Sequence, residues 1–332
     1  MDRKEVYIVA SGGGHTGYAK AIAERIIELW GEEVQIVFII PRNDKWSYWR
    51  LKKIKSSNTR VVQVLKPRGP HDPLYKSLGR IVYAFIDAYV KKTYKNVVVT
   101  TGSNHSLVVA LAACLKKTRV LNMEVVDRII TASTTPRILY KIGFPTILHW
   151  QEQKRSYPKG VVVGPIYEKP VYKPFRGGYI LVTTGTMGHE LLFKKLLETD
   201  LENVVIQTGR VNPSYFTRIK KKWRVFRFDP DIDRWIAGAD VVVTHQGLTA
   251  VNAALAYGKP VIIAYNPGLP RTSTILDSIF LAKKINGVTI DPRKISSKEL
   301  EELILKARKL RPPKYVDGAY VFVKRILSEF IE

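Results

Sequence analysis

Residues 6–26 read "VYIVASGGGHTGYAKAIAERI": an apolar strand, three consecutive glycines, a histidine, then a helical pattern. A glycine-rich turn between strand and helix cradles phosphate, because bare backbone can approach the ligand and a helix N-terminus favours negative charge. The dinucleotide fingerprint is G-x-G-x-x-G, whereas here Gly12, Gly13 and Gly14 are followed by His15, Thr16 and Gly17. A simple phosphate loop has no need of a histidine at that position.

Working outward, strands and helices alternate. "VQIVFII" (34–40) is a near-continuous apolar run, as a parallel strand covered on both faces requires. Residues 41–60, "PRNDKWSYWRLKKIKSSNTR", read as a loop or frayed helix, and "RVVQVL" as the next strand. A long amphipathic helix is expected over about 73–94, with Leu74, Leu78, Val82, Phe85, Ile86 and Val90 on its apolar face. Strand 97–100 leads through "TGSNHS" into helix 106–116, and strand 119–124 ends on "NMEVVDR". The proline- and glycine-rich stretch 165–177 reads as a linker. A second series follows: strand 178–185, helix 188–197, strand 203–209, helix 212–221, strand 223–228, strand 241–245, helix 248–257, strand 260–265 and helix 275–284. Each half has the pattern of a doubly wound parallel α/β sheet. The expected domains are 1–170, 177–313 and a terminal helix, 314–332, that returns to the first domain.

Composition narrows the function classes. Of 332 residues, 54 are Lys or Arg and 29 Asp or Glu, a formal charge of +25. Residues 42–95 alone hold 14 basic and 3 acidic residues, an excess that attracts nucleic acid or anionic lipid on charge grounds alike. No nucleic-acid-binding motif accompanies it, so a basic nucleic-acid-binding protein stays only as an alternative and no nucleic-acid partner is expected. Trp46, Tyr48 and Trp49 sit among Arg50, Lys52, Lys53 and Lys55. That mixture suits peripheral docking on an anionic membrane, through Trp46, Trp49, Arg50, Lys52 and Lys53. The single cysteine, Cys114, allows no intramolecular disulfide. The opening residues lack the apolar run of a signal peptide, and no stretch approaches the roughly 18 apolar residues of a spanning helix.

The second half carries two more glycine-opened junctions. "TTGTMGHE" (183–190) and "THQGLTA" (244–250) each end a strand and start a helix, and such a pair can clamp a diphosphate.

At these residues a resemblance becomes specific. "SGGGHTG", "TTGSNHSLVVALAACLKK" (100–117) and the run from Asn122 to Tyr167 resemble the membrane-recruiting subunit of a particular N-acetylglucosaminyltransferase. That enzyme adds the second sugar to dolichyl-diphosphate-N-acetylglucosamine. "GYILVTTGTMGHELL" (178–192), "NVVIQTGR" (203–210) and "ADVVVTHQGLTAVNAALAYGKPVIIAYNPGL" (239–269) resemble its catalytic, nucleotide-sugar-binding subunit, so the two are fused here. The bacterial peptidoglycan N-acetylglucosaminyltransferase shares the pattern more loosely. The resemblance implies the GT-B fold, two Rossmann-like domains, an inverting reaction, a UDP-sugar donor and a polyprenyl- or dolichyl-linked sugar acceptor. It also implies a peripheral position on the cytoplasmic face of a membrane. A diacylglycerol-type lipid is the alternative acceptor.

Carried over by position, His15 and Glu124 are the candidate catalytic pair. Gly12, Gly13, Gly14, Thr16, Asn104 and Arg128 are candidates for the acceptor phosphates. The donor candidates are Gly185, Thr186, Met187, Gly188, Gln207, Gly209 and Phe228, then His245, Gln246, Gly247, Leu248, Thr249, Asn252, Asn266 and Asp277. Two departures stand out: Asn252 replaces the family's acidic residue, and Thr272, Ser273, Thr274, Asp277 and Ser278 replace its "NHQ"-like run. No cofactor and no metal is expected, since helix dipoles and basic side chains can neutralise a diphosphate. "DPDID" (229–233) reads as a capping turn rather than a metal loop.

Overall fold

The structure is a computed structural model. It describes residues 3–331 apart from 70, 71, 74, 91, 92 and 270–272; Leu74 and Thr272 therefore lie outside the described residues. The chain divides into two compact units, Met1–Glu168 with Val316–Glu332, and Lys169–Tyr315.

In the first unit the strands are β1 (Lys4–Val9), β2 (Val34–Pro41), β3 (Thr59–Val64), β4 (Val97–Val99), β5 (Arg119–Met123), β6 (Thr146–Leu148) and β7 (Val161–Val162). They form one parallel sheet in the order β3-β2-β1-β4-β5-β6-β7. The helices are α1 (Gly13–Trp30), α2 (Lys45–Lys52), α3 (Leu78–Val90), α4 (Asn104–Leu115) and α5 (Thr134–Ile142). The order in which strands are added reverses between β1 and β4, which stay parallel, and at such a switch point a doubly wound sheet opens a crevice at its carboxyl edge. Helix α1 begins at Gly13, so His15 lies inside its first turn.

Two features of this unit go beyond what the sequence gives. The basic aromatic stretch holds a two-turn helix, α2, capped by Asp44, whose side chain accepts the Ser47 N–H. The apolar stripe of α3 is not core. Leu78, Val82, Ile86 and Val90 are 59%, 56%, 47% and 69% exposed, and Tyr83 is 71% exposed. The buried face is instead Ala84, Asp87 and Ala88, because small side chains let α3 lie close to α4 while Asp87 accepts from Arg42 and the Leu65 N–H.

The second unit is a six-stranded parallel sheet in the order β10-β9-β8-β11-β12-β13. Its strands are β8 (Tyr179–Thr183), β9 (Val204–Gln207), β10 (Arg224–Phe226), β11 (Ala239–Thr244), β12 (Val261–Ala264) and β13 (Val288–Ile290). The helices are α6 (Glu190–Leu197), α7 (Ser214–Ile219), α8 (Ile232–Gly238), α9 (Leu248–Val251), α10 (Ile275–Lys284) and α11 (Ser297–Ala307). Helix α9 continues as a wide π turn over Asn252–Ala256. The reversal here falls between β8 and β11. One core cluster joins Val182, Ile206, Val243 and Ile262 of the sheet to Leu192, Phe193 and Leu196 of α6 and Leu300 and Ile304 of α11.

The last segment, with α12 (Gly318–Phe322), belongs to the first unit. Asp317 caps α12 and accepts from Arg25 of α1 at 2.9 Å and 2.7 Å. The Arg25 side chain is buried and Glu24 is its other carboxylate partner at 2.9 Å, so removing Asp317 takes away one of the two charges that balance it.

Candidate functional site

At the β1/β4 reversal, Gly12 caps α1 with φ 63°, and Gly13 follows at φ 35°. Side chains rarely adopt that left-handed region, which explains both glycines; a Cβ at either would meet nothing within 4 Å. Helical bonding starts with Thr16 N–H to the Gly12 carbonyl, so the helix leaves the N–H groups of Gly13, Gly14 and His15 unbonded by its own ladder. Gly13 and Gly14 are exposed. This is the geometry that receives an anion.

His15 is half-buried, with Nδ1 2.5 Å from the Thr101 carbonyl in the loop that follows β4. A carbonyl only accepts, so Nδ1 carries the proton and Nε2 keeps its lone pair. Burial lowers the His15 pKa below 6.5, against the Thr101 bond that raises it. The ring is neutral near pH 7, the form a general base needs.

The other acceptor candidates divide. Asn104 opens α4, half-buried, and donates to the Arg68 carbonyl at 2.9 Å. Arg128 is half-buried and donates to Thr131. Thr16 is 1% exposed with its hydroxyl against Ser47 at 2.7 Å, so it belongs to the frame of the turn and not to the ligand.

Glu124 is also corrected. It is fully buried and accepts from the N–H groups of Val125 and Ser133 and from the Tyr157 hydroxyl. Burial pushes its carboxyl up, against the pull of those hydrogen bonds. With no exposed surface it takes no proton from a substrate; it pins the 125–133 loop. Arg50 is redirected as well: it pairs with Glu168, which also binds Lys20 at 3.0 Å. Burial acts to raise the Glu168 carboxyl, but the two cations bring it down to about 2. Trp46 and Trp49 are 52% and 61% exposed, and Lys52 and Lys53 are exposed beside them.

In the second unit the loops after β8, β9, β11 and β12 knit together at the carboxyl edge. Gly185, Gly188 and Gly209 all have positive φ. A Cβ on Gly188 would lie 2.4 Å from the Thr208 carbonyl oxygen, and one on Gly209 2.6 Å from that of Gly185. Asn266 donates to the Gly188 carbonyl at 3.2 Å and receives the Gly268 N–H, while its own N–H goes to Gln246. Gly247 opens the turn into α9 at φ 143°. Thr186 is exposed, Met187, Phe228 and Thr249 are half-buried, and Asn252 is buried.

Four donor candidates face inward. Gln207 bonds Thr183 and the Asp229 N–H, Gln246 bonds the Asn266 N–H, Leu248 is 4% exposed, and Asp277 is fully buried in the capping box of α10 with Thr274. They build the loops and present no surface to a ligand.

Unsatisfied polar atoms at these loops belong to other residues. Among the described residues, Thr184 Oγ1, Thr244 Oγ1, His245 Nδ1 and Ser273 Oγ are buried without a hydrogen-bond partner, a costly condition that a polar ligand relieves. Burial brings the His245 pKa down to about 4, so the ring is neutral. Thr184 and Thr244 escape a sequence reading because a threonine at the end of an apolar strand looks like an ordinary β-branched strand residue.

Comparisons with known proteins follow the same division. Residues 6–166 match the family described as oligosaccharide biosynthesis protein Alg14 like, and residues 179–317 match the glycosyltransferase family 28 C-terminal domain. The chain is 24% identical over 303 residues to a UDP-N-acetylglucosamine–N-acetylmuramyl-(pentapeptide) pyrophosphoryl-undecaprenol N-acetylglucosamine transferase of Caldicellulosiruptor saccharolyticus, covering 80% of each. Acinetobacter baumannii MurG superposes with a TM-score of 0.62 at 17% identity, over 97% of this chain and 95% of that one. A Listeria monocytogenes protein described as a putative UDP-N-acetylglucosamine 2-epimerase superposes at 0.70 with 12% identity, over 100% and 97%. The chain thus belongs to the glycosyltransferases of the GT-B fold, as an Alg14-like domain fused in one polypeptide to a family 28 C-terminal domain.

Proposed function

We propose that this glycosyltransferase moves N-acetylglucosamine from UDP-N-acetylglucosamine to a sugar carried on a polyprenyl diphosphate. The observation that carries the reading is His15: a neutral ring with its Nε2 lone pair uncommitted, in the first turn of a helix whose leading N–H groups suit a diphosphate. Nε2 takes the proton of the acceptor hydroxyl as its oxygen bonds the sugar C1. The C1–oxygen bond to UDP breaks, and UDP leaves with the electron pair. Thr184, Thr244, His245 and the backbone at Gly185 and Gly247 offer the polar groups for the donor. No divalent metal enters this scheme, so chelation by EDTA is expected to leave the rate unchanged.

A membrane surface as the working location is supported by charge and by α3. Its exposed stripe, Leu78, Val82, Ile86 and Val90, lies with Lys76, Arg80 and Lys116 near it in sequence or contact; Lys116 Nζ sits 4.9 Å from the Tyr89 ring centroid. Among the described residues no helix is long and apolar enough to cross a membrane; an interfacial helix of this kind lies in the headgroup plane.

The test is transfer of labelled sugar from UDP-N-acetylglucosamine, with UDP-glucose as the competitor, to short-chain polyprenyl-diphosphate-N-acetylglucosamine or to diacylglycerol. A labelled diphosphate lipid supports the reading, and label on diacylglycerol alone overturns it.

A further inference from the structure

The glycine turn is held from outside, by α2. Ser47 is 1% exposed, and its hydroxyl has three neighbours: Asp44 Oδ2 at 2.7 Å, the Gly12 N–H at 2.9 Å and Thr16 Oγ1 at 2.7 Å. A hydroxyl has one proton and two lone pairs. The count closes in one way. Ser47 donates to the Asp44 carboxylate and accepts from Gly12 and from Thr16, using all of its capacity. Asp44 Oδ2 also accepts the Gly12 N–H at 3.0 Å, while Oδ1 holds the Ser47 N–H at 3.1 Å. The left-handed Gly12 N–H is therefore bonded twice, by Ser47 of α2 and by its cap Asp44, on the opposite flank of the turn from the Thr101 carbonyl that holds His15.

Building on the assignment of His15 as the base, we propose that Asp44 and Ser47 are positioning residues for the acceptor reaction. They fix the backbone at Gly12 so that the Gly13 and Gly14 N–H groups and the His15 ring keep one arrangement. The bonds occupy the Gly12 N–H, so that in this scheme the N–H groups left for a ligand are those of Gly13 and Gly14. They also give α2 a task apart from its exposed tryptophans, since Ser47 lies on the inner face between Trp46 and Trp49.

The test compares Ser47→Ala and Asp44→Asn with the native protein and with His15→Ala. Each is assayed with UDP-N-acetylglucosamine and short-chain polyprenyl-diphosphate-N-acetylglucosamine across pH 5–8. Ser47→Ala removes one of the two acceptors of the Gly12 N–H, leaving Asp44 Oδ2 alone, and takes from the Thr16 hydroxyl its Ser47 partner. It is expected to cut kcat about tenfold and to raise the acceptor KM, with the donor KM and calorimetric UDP binding unchanged. The acid limb of the rate profile moves up toward pH 6.5 as the loosened His15 ring gains water. Asp44→Asn, which keeps one carbonyl oxygen for the cap, shifts the same quantities less. A native rate and an unmoved acid limb overturn the proposal. So does parallel loss of UDP binding and transfer in both variants, because the pair then serves the fold alone. The His15→Ala control separates the two assignments. A full rate there overturns the base, whereas a normal Ser47→Ala protein beside an inactive His15→Ala protein overturns only the positioning.

Discussion

His15 Nδ1 donates to the Thr101 carbonyl at 2.5 Å, joining the helix that follows β1 to the loop that follows β4 across the reversal of the sheet. That bond sets the tautomer, and burial sets the charge: the His15 pKa falls below 6.5. The rate then follows the neutral ring. It is flat above the lowered pKa and declines as pH falls through it, so half-maximal kcat/KM for acceptor lies below pH 6.5. His15→Ala is expected to lower kcat by about 10²-fold or more, the usual range for a general base, with UDP binding retained. A midpoint above 7, or a normal rate in His15→Ala, contradicts this role.

Glu124 leads to the opposite expectation. Its oxygens satisfy Val125 N–H, Ser133 N–H and Tyr157 O–H in the interior, so Glu124→Gln turns an amide NH₂ toward donors. Each orphaned donor costs about 1–3 kcal/mol. Denaturant melts should show that loss, while transfer per folded molecule stays within about twofold. A hundredfold fall in kcat at unchanged stability would restore Glu124 to the chemistry.

The contrast between these two residues shows how far sequence carries. Apolar runs such as "VQIVFII" and "VVVTH" are legible as parallel strands because both of their faces must be covered. A glycine turn after such a strand places His15 at the carboxyl edge of the sheet with no further information. Side-chain direction is another matter. Glu124 and Asp277 stand at junctions where a ligand could be met, and whether a carboxylate points out or back into its own loop depends on N–H groups several residues away. Periodicity likewise gives α3 an apolar face and is silent on what lies against it.

His149 supplies a stability test. Its Nε2 donates to the Glu124 carbonyl at 2.9 Å and its Nδ1 accepts the Ile166 N–H at 3.2 Å, an arrangement only the neutral ring can make. Burial lowers its pKa to about 4. Below pH 6.5 the unfolded chain takes up the proton first, so stability is lost as pH falls from 6.5 to 4. The full loss is about 3 kcal/mol. In His149→Gln the melting temperature should fall less steeply over that window; identical slopes would refute it.

The donor loops make a steric prediction. Gly188→Ala puts a methyl 2.4 Å from the Thr208 carbonyl oxygen, and Gly209→Ala puts one 2.6 Å from that of Gly185, all backbone contacts that cannot swing aside. Gly247→Ala meets nothing within 4 Å and suffers only from its φ of 143°, a strain of about 1–3 kcal/mol. Calorimetry should therefore find UDP binding weakened at least tenfold by Gly188→Ala and Gly209→Ala, and less by Gly247→Ala. Equal affinities across the three would mean that the loop shape is not what holds the donor.

The face of α3 decides the membrane question most sharply. Val82 and Ile86 are 56% and 47% exposed, so Val82→Asp with Ile86→Asp removes apolar surface that the fold does not bury. A surface substitution of this sort shifts stability by about 0.5 kcal/mol or less. On a bilayer the same change is costly twice. It withdraws two side chains from the interface and sets two negative charges against anionic headgroups, where each basic residue near the surface contributes about 1 kcal/mol. Co-sedimentation with vesicles of phosphatidylglycerol and phosphatidylcholine should fall at least tenfold in the double variant, with its melting temperature unchanged. Binding of the native protein should weaken as salt rises, since exposed charge is screened over about 10 Å at 0.1 M. Trp46→Ala with Trp49→Ala should weaken binding additively if α2 and α3 meet the same surface. If the α3 variant binds vesicles as the native protein does, the stripe serves another partner and the membrane contact rests on α2 alone.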